Sequence, residues 1–378
     1  QVAWLQGAED SMPQKAGSRT AKGAAGGRGG RGANMPGVSK SDALAMQCAA
    51  IPGHMRLPGG LLAARTQLEA IAGQASSGIL HQGKGKTARA DVMANLWFVR
   101  AAHEFAAAAG GLHSEEKREH LQFAVNSLLP MCRTIVQNFI GEKGMDGVRM
   151  DDGGMLAGLK TKASPMGTVA ASLRLNALWY AALETTGQAL RGITPMHAGG
   201  KDPSGDHFER LAGRFRRSFA KAFWCEEHER ICPQDVRTAA DHGALPDAEQ
   251  LLLAILPSSP LPRTKQRGIL LNMLARGTGT LGVLIDHPEH GRVESPLHRA
   301  WLAQGLANVA ENDADRQQVL ILLRALSPLW HSLRTTGAHM YYRNGEPIGK
   351  TSDELATAEI LGTLERFIPA ENHTGHSG

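Results

Sequence analysis

The chain is poor in the features that would place it in several large classes. Its 378 residues include only four cysteines, Cys48, Cys132, Cys225 and Cys232, and no two are set as Cys-x-x-Cys. That spacing argues against a zinc site and fits reduced thiols, so a cytoplasmic protein is expected. Aromatic residues make up only 5%. No apolar run approaches the roughly 20 residues that cross a bilayer, so no membrane association is expected. The first ten residues show no basic segment followed by an apolar one, so no secretory leader is expected. Neither sign of charge dominates. The 41 Lys and Arg face 36 Asp and Glu, and a net charge of +5 does not by itself argue for nucleic acid. His113 and His120 do not form a His-Glu-x-x-His pair, and no metal or cofactor is expected.

What is present is an ample supply of core residues, with 42% hydrophobic. The first forty residues read as a disordered tail or linker around Gly26-Gly27-Arg28-Gly29-Gly30-Arg31-Gly32, which has nothing to bury. From 41 to 370 the pattern changes, and apolar residues recur at helical spacing. Leu61, Ala64, Leu68 and Ile71 share a face. So do Leu121, Val125, Leu128, Cys132, Ile135 and Phe139, in a stretch that Pro130 should kink. Further stripes are Leu211, Phe215, Phe219 and Ala222, then Leu302, Gly305, Leu306 and Val309. Val319, Leu322, Leu326, Leu329 and Leu333 form the clearest one. Period-two alternation is nearly absent, so strands should be few and short. Polar loops at 141–165, 192–206, 257–262, 278–296 and 335–352 separate the helices. The helices keep no fixed repeat length, which argues against a solenoid. A closed ring of helical hairpins, with long loops gathered at one end, fits better.

Two motifs imitate nucleotide sites. Gly277-Thr278-Gly279-Thr280-Leu281-Gly282 matches Gly-x-Gly-x-x-Gly, but it follows a helical segment where a dinucleotide fingerprint must follow a strand. It reads as a helix cap and loop. Gly85-Lys86-Thr87 resembles the end of a phosphate loop, but Leu80 stands where its first glycine is needed.

Several blocks, taken in order, resemble the C-terminal glucosidase domain of glycogen debranching enzymes. They are Asn95-Leu96-Trp97-Phe98, Leu175-Asn176-Ala177-Leu178-Trp179-Tyr180, Phe223-Trp224-Cys225-Glu226-Glu227 with Gln234-Asp235-Val236, Leu253 to Leu261, and Leu355 to Leu364. The resemblance covers about 50 to 368. It implies an all-α fold, an (α/α)6 barrel or toroid of the six-hairpin glycosidase type, with α-glucan as partner and no cofactor.

Such an enzyme inverts at the anomeric carbon. It needs a carboxylic acid for the leaving oxygen and a carboxylate for water, about 6.5–9.5 Å apart. The resemblance points to Asp151 as the acid, in Val148-Arg149-Met150-Asp151-Asp152-Gly153-Gly154. Arg149 replaces the shielding Trp and would favour the ionised form. Tyr341 falls where the base is expected, and Glu346 is the nearest carboxylate that could replace it. Asn176, His298, Trp301 and Tyr341 are the implied sugar contacts. The family's arginine is missing from Ser164-Pro165-Met166-Gly167, and its Arg-Pro-Asn-Gln loop has become Leu245-Pro246-Asp247-Ala248-Glu249-Gln250. The helix signature persists while the polar loops have eroded. Three readings follow: a glucosidase-like protein that binds α-glucan with its catalytic loops eroded, an active amylo-α-1,6-glucosidase, and a scaffold or nucleic-acid-associated protein using the Gly/Arg tail.

Overall fold

The computed structural model describes residues 40–83, 88–112, 115–158, 172–193, 203–226, 230–231, 248–287, 289–348 and 353–367. The Gly/Arg run, the Gly85-Lys86-Thr87 segment, Cys232 and the Ser164–Gly167 loop lie outside them.

Helices dominate, and their apolar stripes choose their neighbours. The first is α1 (Lys40–Met55), which buries Cys48, Ala49, Ala50 and Ile51, and α2 (Gly60–Gly73) packs on it. Asp91 caps α3 (Val92–Gly110) by accepting from the Ala94 N–H at 2.9 Å. Next come α4 (Glu115–Phe123) and α5 (Leu129–Ile140), joined by a π-helical turn over Ala124–Leu128. The expected kink at Pro130 takes this form. The wide turn comes just before the proline, which then starts α5, where its missing N–H costs nothing. The long helices α6 (Leu173–Ile193) and α7 (Pro203–Phe223) follow, then a 3₁₀ turn at Ala248–Leu251 running into α8 (Leu252–Ile255). The remainder are α9 (Arg263–Arg276), α10 (Pro296–Val309), α11 (Asp313–Arg324), α12 (Trp330–Thr335) and α13 (Glu354–Phe367).

The packing order runs round a circuit. Helix α13 packs on α1, α1 on α3, α3 on α6, α6 on the 3₁₀–α8 segment, that segment on α10, and α10 on α13. Helices α2, α5, α7, α9 and α11 lie against members of this circuit. First and last members meet backbone to backbone. A Cβ on Gly53 would stand 2.5 Å from the Ala358 carbonyl, and one on Gly362 would stand 2.3 Å from the Gly53 oxygen. No side chain fits at that crossing.

Strands are few and short. β1 (His81–Gln82) pairs with β2 (Arg89–Ala90), β3 (Val148–Met150) with β4 (Leu156–Gly158), and β5 (Trp224–Cys225) with β6 (Arg230–Ile231), all antiparallel. Two stretches read as loops prove to be hairpins. β7 (Val283–His287) and β8 (Gly291–Ser295) join β9 (Tyr341–Arg343) and β10 (Glu346–Ile348) in one antiparallel sheet of order β10-β9-β8-β7. Strands of three to five residues are too short to show an alternation among turn residues. Gly277 does cap α9, as its place after a helix required.

Two buried asparagines tie hairpins to helices in the same way. Asn95 of α3 accepts from the Leu80 N–H at 3.0 Å and donates to the Leu80 carbonyl at 2.9 Å. Asn176 of α6 accepts from the Leu156 N–H at 2.8 Å and donates to the Leu156 carbonyl at 3.2 Å. Each amide acts as a strand neighbour for one residue. Asn176→Ala strands both Leu156 groups in the core and is expected to cost about 2 kcal/mol in urea unfolding. A loss below about 0.5 kcal/mol would mean that water replaces the amide.

Candidate functional site

A cavity of about 260 Å³ opens where the amino-terminal parts of the circuit's helices meet the four-stranded sheet. Trp97 of α3, Arg174 of α6, His298 and Trp301 of α10 and Leu355 of α13 come from the helices. Asp286 of β7 and Tyr341 of β9 come from the sheet, and Glu249 from the 3₁₀ turn.

Glu249 and Arg174 form the charged wall. The Arg174 guanidinium meets both carboxylate oxygens, with Nε at 2.5 Å from Oε2. Burial alone would raise the Glu249 carboxyl, but the hydrogen bonds and charge of Arg174 outweigh it and hold the group below the usual carboxylate range. Glu249 therefore stays a carboxylate that accepts hydrogen bonds, and it is a poor proton donor. His298 is 5% exposed, and its Nδ1 lies 2.8 Å from Ser295 Oγ. Burial lowers its pKa to about 4, so the ring is neutral at pH 7. It stands edge-on to Trp301, with ring centroids 5.0 Å apart. Among the described residues the Trp301 indole N–H has no partner, and it is buried away from the solvent-accessible surface. Tyr341 packs edge-on to His287 at 5.0 Å, and burial raises its phenol, so it stays protonated. Asp286 sits at the rim, 57% exposed, 3.4 Å from Arg292 Nε.

The residues expected from the sequence divide. His298, Trp301 and Tyr341 line this cavity together. Asn176 does not, because its amide is engaged with the backbone of Leu156 and Ser172. Asp151 does not line it either. Its Oδ1 accepts from the Met155 N–H at 2.9 Å and shapes the turn between β3 and β4. Glu346 is an exposed residue of β10, opposite Arg343. Neither Asp151 nor Glu346 lines this cavity or the larger one described below. Glu249, Arg174, Asp286 and Trp97 were not foreseen as site residues. Glu249 and Trp97 fall inside blocks of the debranching resemblance, and Arg174 directly precedes one.

Among the described residues no group of His, Cys, Asp and Glu could hold a metal ion, and no helix is long and apolar enough to cross a membrane. No family model matches the chain, and no curated protein matches it. Among solved structures, it is similar to a rhamnosidase from Klebsiella oxytoca with rhamnose bound, with a TM-score of 0.48 and 13% identity. That match covers 85% of this chain and 57% of the rhamnosidase, so the chain spans little more than half of its neighbour's length. The match assigns no role to any residue of this chain.

Proposed function

We propose that the circuit of helices is an (α/α)6 toroid of the six-hairpin glycosidase type, and that its cavity holds a terminal glucosyl unit of an α-glucan without hydrolysing it. The observation that carries this reading is the Arg174–Glu249 pair set among Trp97, Trp301 and Tyr341. Aromatic side chains suit the apolar side of a sugar, while a fixed carboxylate, a guanidinium and a phenol match its hydroxyls. A cavity of about 260 Å³ lies at the small end for ligand sites, which suits one hexose better than a chain. The resemblance of several sequence blocks to debranching enzymes supports an α-glucan as the ligand.

The chemistry of the wall argues for binding over turnover. Inversion needs one protonated carboxyl beside the leaving oxygen. Glu249 is held ionised by Arg174. Asp286 is at the exposed rim, paired with Arg292. Asp151 and Glu346 are absent from the wall.

Electrophoresis through gels containing glycogen tests this. The protein should be retarded, and Tyr341→Ala should weaken the apparent affinity by about tenfold, equivalent to about 1.4 kcal/mol. Limit dextrin should yield no glucose. Absence of retardation removes the reading. Glucose release that Asp151→Asn or Glu346→Gln abolishes would replace it with an active inverting glucosidase.

A further inference from the structure

A second cavity, of about 520 Å³, lies at the other end of the same helices. Its wall comes from Glu104 late in α3, Gln304 and Asn308 late in α10, Arg366 in the last turn of α13, Arg56 just beyond α1, and the end of α8. It shares no lining residue with the first cavity. Two arginines face it. Arg56 is engaged, with Nη1 2.8 Å from Glu359 and Nη2 3.6 Å from Glu104. Arg366 stacks on Phe367 at 5.0 Å, and among the described residues no carboxylate lies within ion-pair distance of it. Burial, and then Arg56, disfavour its charge, and Glu104 offsets only part of that.

The charges around this end do not balance. Arg56, Arg100 and Arg366 face Glu104 and Glu359, three cations to two anions. Arg100, with a side chain 1% exposed, also has an Nη1 with no hydrogen-bond partner among the described residues. The carboxyl ends of the helices offset part of the excess. Two like charges brought to one partly dry cavity still favour a counter-anion there. The rest of the wall, Ser259, Gln266, Gln304 and Asn308, is suited to hydroxyl groups.

We propose that this cavity is a second binding site, for a small hydroxylated oxyanion whose carboxylate or phosphate lies between Arg366 and Arg56. The site is independent of the glucan reading, and either can fail while the other stands.

Titration calorimetry of the full chain at constant ionic strength tests it, with gluconate, glucose 6-phosphate and inorganic phosphate as probes and sorbitol as the neutral control. At least one anion should bind saturably, and sorbitol should not. The better of gluconate and glucose 6-phosphate names the anionic group. Arg366→Ala should weaken that binding by at least about tenfold, and Arg366→Lys should recover part of it. Arg366 is exposed, so the variants should fold, as circular dichroism would verify. Anion binding unaltered in Arg366→Ala overturns the proposal, as does the absence of saturable heat from all three anions.

Discussion

Glu359→Gln is expected to destabilise the protein by about 3–5 kcal/mol, the cost of breaking a buried charge cluster from one side. The Glu359 side chain is fully buried. Its carboxylate takes Arg56 Nη1 at 2.8 Å, Arg100 Nη2 at 3.3 Å and Gln304 Nε2 at 3.1 Å. Burial pushes the carboxyl up, and the charges of Arg56 and Arg100 more than reverse that, so it is ionised in the folded protein. Its three partners come from elsewhere in the circuit: just beyond α1, α3 and α10. A neutral amide keeps the shape but leaves Arg100, 1% exposed, with Glu104 as its only carboxylate. The comparison is Glu69→Ala, which removes the exposed i,i+4 pair with Arg65 and should cost less than about 0.5 kcal/mol. Urea midpoints at pH 7 separate the two. A loss below about 1 kcal/mol for Glu359→Gln would mean that water reaches the cluster and that the helices are held by apolar packing alone.

That cluster also shows where sequence reading stops. The helices were legible because each stripe is local. Val319, Leu322, Leu326, Leu329 and Leu333 are all buried, even though the helix breaks after Arg324 and resumes at Trp330. Burial follows the spacing, and the Ser327–Leu329 turn carries the stripe across Pro328. The charged hub has no such local signal. Arg56 and Glu359 stand 303 positions apart, and Arg or Glu inside a helix reads as a solvated face until its partner is known. The same holds for Glu249, which meets Arg174 across 75 positions. Asp151 and Glu346 stood out because they sit near motif positions. Those positions fall on hairpins, whose direction is set by turns such as Asn344-Gly345, with φ of 51° and 83°. Tyr341 and His298 entered through the same debranching resemblance; both line the cavity, one from β9 and the other from α10.

Stability should fall steeply as the pH drops from about 6.5 to about 4, well before most carboxylates titrate. Two imidazoles cause this. His298 is enclosed beside Trp301, and His103 lies 3.0 Å from Thr186 Oγ1. Burial lowers each to about 4, against an ordinary value near 6.5. In the unfolded chain both imidazoles take up protons as the pH falls through about 6.5, while in the folded protein they do not. The neutral rings therefore impose no penalty above about 6.5, and unfolding gains up to two protons below it. At about 1.4 kcal/mol per pH unit for each proton, the loss reaches about 3 kcal/mol per histidine near pH 4. Together these losses rival the whole stability of a typical domain, about 5–15 kcal/mol. Glu359 adds a loss only below the ordinary carboxylate value of about 4.3, because its own pKa is lowered. Urea unfolding at pH 7, 6 and 5 should give a falling free energy, and His298→Asn should remove about half of the slope. A flat profile between pH 7 and 5 would show that both rings protonate in place. The first cavity would then carry a further cation beside Glu249 in mild acid, and the neutral His298 ring described for it would be wrong.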